Sequence, residues 1–289
     1  MTINKYHHLY SLDLPEAFIV TRAFGREAAR LFEQNKVDFI PTFGVVRPKD
    51  FKNLSKNESF LSQPIQLHFL LFSEKGKQKF SQSQRLAIGE ILRRLYYKNI
   101  KTQDQVVANQ FFPIFGFGRL TDMDLSEISE QRADALARWA QQLKDMQITL
   151  EVWKDRIEEF KVGFQEAKAV EILPFKGFEW DRTFEDIPDI FYIATDAGAY
   201  ENLSLLHYLF KVGAFGDYET GLKWLNQYLR TTDTADRKSM LQKLHRASLE
   251  EARYIPLFHQ SYMAVFKKPL RLEISPYFAG TPFWKIKRN

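Results

Sequence analysis

Pro256 lies inside an apolar stretch just past an amphipathic helix, and it separates two kinds of chain within Asp233–Lys267. Upstream, Asp233, with Asp236 three residues on, supplies an N-cap and a negative first turn. Met240, Leu241, Leu244 and Ala247 then fall at i, i+1, i+4 and i+7, one apolar helix face. Proline has no N–H to give, so the helix must end before it. Downstream, Leu257-Phe258 and Tyr262-Met263-Ala264-Val265-Phe266 read as buried extended chain.

The same alternation recurs along the chain. The spacing predicts a helix over Thr21–Gln34, with Phe24, Ala28, Leu31 and Phe32 inward, then a short Val-Asp-Phe-Ile strand ended by Pro41. Asn35 suits a left-handed helix end. Ile65–Phe72 is a strand with Leu67, Phe69 and Leu71 on one side, followed by a polar loop. The next helix carries Ile88, Ile91, Leu92, Leu95 and Tyr96 on one face. Asp124 and Glu127 resemble a capping box for a helix running to about Met146. Ile148–Val152 alternates as a strand, and a helix over Lys154–Ala169 turns Ile157, Phe160 and Phe164 inward. Asp189–Ala194 is a strand, Leu203–Phe210 and Leu222–Leu229 are helices, and Leu270–Ile274 is a strand in the tail. No repeat interrupts this order, so the chain reads as one α/β unit.

Several function classes are excluded or left without support. The 289 residues hold no cysteine, which removes disulfides, thiolate catalysis and cysteine-based metal sites. No apolar run reaches the ~18–20 residues of a membrane helix. The first residues lack the apolar core of a signal peptide. The net charge of +5 is diffuse, so no basic stripe points to nucleic acid. No nucleophile elbow, phosphate loop, dinucleotide glycine pattern or His-Glu-x-x-His stands in the sequence. The six histidines are dispersed without ligand spacing, so no catalytic residue, metal or cofactor is expected.

One resemblance joins these elements. Leu249, Glu251, Ala252 and Ile255-Pro-Leu-Phe-His259 are similar to the C-terminal signature of the family 5 extracellular solute-binding proteins, the peptide- and nickel-type binding components of ABC transporters. The helix leading into Val37-Asp38, the Phe80-Ser81…Arg85…Ala87 helix start and the Ile148–Val152 strand resemble further family elements in the same order. Asp189 and Asp196 match the two aspartates of another family motif, although its aromatic residue and terminal proline are missing here. The resemblance implies a lobe of the periplasmic-binding-protein type II kind, a mixed sheet flanked by helices. It covers only the family's second half, with residues 1–64 as a stub of the first lobe, 65–264 as the C-terminal lobe and 265–289 as a returning tail.

The resemblance also implies a site. Asp196, with Tyr200 and Asn202 beside it, would hold a ligand ammonium, since a carboxylate accepts charge-assisted hydrogen bonds in a desolvated cleft. The other role open to Asp196 is a cap on the following helix. Phe115 and Phe117, in the Pro/Gly-punctuated loop Asn109–Leu120, would face ligand at the cleft mouth or else plug the core edge. The aromatic, acidic loop 175–188 has no counterpart and reads as an insertion. The implied partners are a small solute or short peptide, the missing N-terminal lobe and an ABC permease, in a periplasmic or extracellular setting. An alternative is the sensing domain of a helix-turn-helix transcription regulator in the cytoplasm, and a third is an α/β protein without a ligand.

Overall fold

The computed structural model describes residues 19, 21, 23, 25–41, 46–54, 59–101, 105–112, 116–177, 182–196, 203–272 and 286–288. In chain order the elements are α1 (Gly25–Glu33), β1 (Phe39–Ile40), β2 (Ser59–Phe72), α2 (Glu74–Lys79), α3 (Gln82–Asn99), β3 (Gln105–Val107), α4 (Asp122–Trp139), β4 (Ile148–Val152), α5 (Ile157–Gly163), β5 (Val170–Pro174), β6 (Ile190–Asp196), α6 (Leu203–Lys211), α7 (Tyr218–Arg230), α8 (Thr234–Glu250), β7 (Tyr254–Phe266), β8 (Leu270–Leu272) and β9 (Ile286–Arg288). The chain divides into two compact units, Met1–Gln66 with Gln260–Asn289, and Leu67–His259.

In the first unit, α1 buries Ala28, Ala29 and Phe32. It ends as expected at Asn35, which takes a left-handed φ of 59°. Lys36 N–H reaches the Leu31 carbonyl at 2.9 Å and Asn35 N–H the Phe32 carbonyl at 3.1 Å, the two bonds of a Schellman end. β1 pairs antiparallel with the end of β7, Ile40 opposite Val265. Ile40, Met263 and Val265 join Phe32 and Phe51 in one apolar cluster. β8 and β9 form a separate antiparallel pair.

In the second unit the strands run in the order β7-β2-β6-β4-β5, with β3 beside β7. β4 is parallel to both β5 and β6, so with the antiparallel β1–β7 pair the sheet is mixed. Leu67, Phe69 and Leu71 of β2 enter one apolar cluster, and Leu70 and Phe72 enter another. Phe191 and Ile193 of β6 split from Ile190 and Tyr192 in the same way. Side chains alternate along a strand, so the two clusters lie on opposite faces of the sheet. Residues of α6, α7 and α8 (Leu209, Phe210, Tyr228, Leu241) cover the first face, and residues of α3 and α5 (Ile88, Leu92, Tyr96, Phe160) the second. Burial on both faces explains why β2 reads as a nearly unbroken apolar run.

The structure departs from the sequence reading at several places. The polar loop after β2 is the helix α2, capped by Ser73, whose hydroxyl accepts from Gly76 N–H at 2.9 Å. A Cβ on Gly76 would stand 2.2 Å from the Asp189 carbonyl oxygen, so this close approach requires glycine. The capping box of α4 is Thr121 with Asp124, not Asp124 with Glu127; the two acids bind Arg246 instead. The α4 helix stops at Trp139. The expected helix over 154–169 is shorter, Ile157–Gly163, and residues 170–174, which local spacing leaves unassigned, form β5 through parallel pairing with β4. On α8 the buried positions are Leu241, His245, Ser248 and Leu249, while Ala247 is exposed. The helix does not wait for Pro256 to end it. It closes in a second Schellman end, with Ala252 at φ 49° and Arg253 N–H on the Ser248 carbonyl, and β7 starts two residues before the proline.

Candidate ligand-binding site

Asp189 and Asp196 stand just before and at the end of β6, seven steps or roughly 23 Å apart at extended-chain rise. Asp189 is 1% exposed and is a scaffold anchor. Its Oδ2 accepts from Thr149 N–H and Lys79 Nζ, each at 2.9 Å, and its own N–H donates to Thr149 Oγ1 at 2.8 Å. These bonds tie β6 to β4 and α2 and so fix the strand that leads to Asp196. Tyr200, Asn202 and Phe115 lie outside the described residues, as does the side chain of Asp196. Phe117 is half-buried and packs against the apolar cluster that holds Phe111 and Phe112.

The segment carrying Phe117 is fixed by bonds from distant elements. Ala108 N–H donates to the Leu257 carbonyl of β7 at 3.1 Å. Phe111 N–H donates to His245 Nε2 on α8 at 2.9 Å, and His245 Nδ1–H donates to the Gly118 carbonyl at 2.8 Å. His259 of β7 approaches the Phe111 carbonyl through Nε2 at 3.1 Å. Gln110 Oε1 accepts from Leu120 N–H at 2.8 Å, and Gln242 donates to the Arg119 carbonyl at 2.7 Å. A Cβ on Gly118 would meet the Phe112 ring at 2.2 Å. Burial pushes His245 down to about 4, only partly offset by the Gly118 bond, and burial also lowers His259. Sequence spacing leaves both histidines scattered and gives no sign of Gln110. The one local signal was His245 four residues after Leu241, on the apolar face of α8.

The loop 175–188 is likewise tied to the sheet. Arg182 (8% exposed) meets Glu151 of β4 (1% exposed) through two bonds at 2.5 and 3.0 Å, and Lys176 N–H also reaches Glu151. Arg85 acts structurally, with Nη1 on the Phe80 carbonyl at 2.8 Å and Nη2 on the Glu251 carbonyl at 2.7 Å. Arg132 on α4 is only 3% exposed, yet its Nε and Nη2 carry no hydrogen bond. Burial first, and then Arg93, push it down to about 10.

Two hollows are present in this unit. One, of about 530 Å³, lies between α3 and α4 and is walled by Ile88, Ile91, Leu95, Leu136 and Leu143. The other, of about 320 Å³, lies on the opposite sheet face between Phe191, Phe210 and Tyr218, with Glu74 and Asp217 at its edge. Phe117 lines neither of them. Among the described residues no three His, Asp or Glu side chains gather as a metal-binding group, and no helix is long and apolar enough to cross a membrane.

No protein-family profile matches the sequence, and no curated protein matches it. Solved structures do match. NikA from Brucella suis, in complex with Fe(III)-EDTA, is 20% identical with a TM-score of 0.64 over 90% of this chain and 59% of that one. The murein tripeptide binding protein MppA of Escherichia coli is 13% identical, with a TM-score of 0.61 over 90% of this chain and 55% of its own. Haemophilus influenzae OppA, in complex with the peptide RPPGFSPFR, is 12% identical, with a TM-score of 0.60 over 91% and 56%. The chain therefore has the type II periplasmic-binding-protein fold, and the family 5 resemblance holds at the level of fold. It spans little more than half the length of these proteins.

Proposed function

We propose that this chain is the ligand-binding lobe of a solute-binding protein that serves ABC-type uptake of oligopeptide-like solutes, without catalysis. The observation that carries the reading is the fold match over about nine-tenths of the chain to binding proteins that include a peptide complex and a murein tripeptide binder. In this reading residues 1–64 are a stub of a first lobe, 65–264 the C-terminal lobe and 265–289 a returning tail. The remaining lobe supplies the opposite wall of a clamp, whose closure contributes to binding. An ABC permease receives the solute in a periplasmic or extracellular setting. Asp196 takes the ligand's α-amino group, Tyr200 and Asn202 stand beside it, and Phe115 and Phe117 face the solute's apolar parts.

Calorimetry of the full-length gene product against free and N-acetylated tri- to pentapeptides tests this. Saturable binding of a free peptide is expected. Asp196→Asn should weaken it by about tenfold or more, the worth of a charge-assisted bond, and leave the N-acetylated peptide unchanged. An equal loss for both peptides removes the ammonium role, and no binding of any peptide overturns the solute class. The sensing-domain alternative shares the fold; a helix-turn-helix upstream in the gene product, in place of an export signal, selects it.

A further inference from the structure

We propose that His245 and His259 are positioning residues for the stretches 108–112 and 116–120, a two-imidazole latch that gives up the Phe111 amide when His245 takes a proton at Nε2. The hydrogen bonds define the protonation states. An amide N–H can only donate, so His245 Nε2, facing Phe111 N–H at 2.9 Å, must hold its lone pair. A carbonyl can only accept, so Nδ1, facing Gly118 O at 2.8 Å, must carry the hydrogen. The ring is thus neutral, in one tautomer, and it bridges both limbs of the segment. His259 completes the hold by donating Nε2–H to the Phe111 carbonyl. One residue, Phe111, therefore has its N–H and its C=O both satisfied by imidazoles from two different elements.

A proton added at His245 Nε2 sets donor against donor. The Phe111 amide is then left without an acceptor in a buried site, where an unmade bond is expensive. The surroundings give the new charge little help. The rings of Phe111, Phe112 and Phe215 pack around His245. From β7 come His259, whose charge opposes a second one, and Tyr254, whose ring packs on Phe111 and Phe215. On α8, Arg246 is committed to Asp124, Glu127 and Glu250, and Gln242 to the Arg119 carbonyl. The loop supplies Gln110, engaged with Leu120, and the exposed Arg119. The depressed affinity of His245 for protons, about 4, follows from this burial and places release in acid. The latch stands on the hydrogen bonds alone; its bearing on solute capture rests on the function proposed above.

Imidazole nitrogen NMR and amide hydrogen exchange on the full chain, from pH 7 to pH 4, test it. At pH 7, His245 should show the Nδ1–H tautomer. On acidification, protection at Phe111 should fall by about tenfold or more while the Leu150 amide of β4 stays protected. His245→Gln should remove that pH step, and His259→Gln, which keeps the His245 bridge, should weaken protection at Phe111 and retain the step. An Nε2–H tautomer, or loss of protection together with β4, overturns the latch. With a peptide found by the calorimetry above, affinity should drop over the same pH range. A latch seen by NMR with pH-independent affinity keeps the device and removes its link to solute capture.

Discussion

Beside α3 and α5 the 67–259 unit buries one charge inside a network of side chains; beside α8 and β7 it buries two imidazoles that bond to backbone. The charge is Arg156, 3% exposed. Its Nε and Nη2 meet Glu159 at 2.8 Å each, and its Nη1 donates to the Tyr192 hydroxyl at 2.7 Å, which in turn stands 2.6 Å from His68 Nδ1. Burial opposes the charge, yet Tyr192, Tyr96 and Glu159 together hold its pKa above the ordinary value. His245 and His259 bond to backbone instead. The difference teaches that a buried charge stays when partners surround it, and a buried titratable ring stays by giving up its charge.

The largest expected effect tests the Arg156 network. Arg156→Ala removes the charge-assisted bonds to Glu159 and Tyr192 and leaves a cavity where a buried side chain stood, and should lower unfolding stability by roughly 3–5 kcal/mol. Urea titration at pH 7 measures it, and a loss under about 1 kcal/mol would show that the network merely fills space.

The next effect belongs to the imidazole pair and appears only in acid. Unfolded histidine binds a proton below about 6.5, whereas folded His245 resists until about 4. The unfolded state thus holds more protons in this window, so stability is full above pH 6.5 and falls as pH drops toward 4. The expected loss is about 3 kcal/mol. Urea midpoints at pH 7, 5.5 and 4 should show this slope in the parent chain and a flatter one in His245→Gln. Equal slopes would place the acid sensitivity elsewhere.

The smallest effect has the opposite sign. Arg132 is buried like Arg156 but lacks its partners, with Nε and Nη2 making no hydrogen bond. Arg132→Met keeps the length of the side chain and removes the charge, and should raise stability by roughly 1–2 kcal/mol. A loss in the same urea assay would mean that the charge is compensated in solution and that the contrast between the two arginines is false.

Local pattern carried much of this fold into view. The apolar repeat from Ile88 to Tyr96 marks α3 because that face packs on a sheet. Asn35 and Asp233 mark helix ends because their chemistry acts within three residues. What stayed hidden depends on distant chain. The β5 strand exists through its pairing with β4, and α2 through the space that Gly76 leaves for Asp189. The role of His245 rests on a partner 134 positions away, which no spacing rule reaches. The proposed contacts at Phe117 and Asp196 came from resemblance and stand as proposals to be tested by binding.

The anchoring of segment 108–120 also has a consequence for engineering. Its fixed points are at Ala108, Gln110, Phe111, Gly118, Arg119 and Leu120, and their partners are side chains and backbone of α8, β7 and the segment itself. Redesign of this segment should therefore keep these six positions and their partners together, because each bond joins groups that are far apart in the chain or on opposite limbs of the segment.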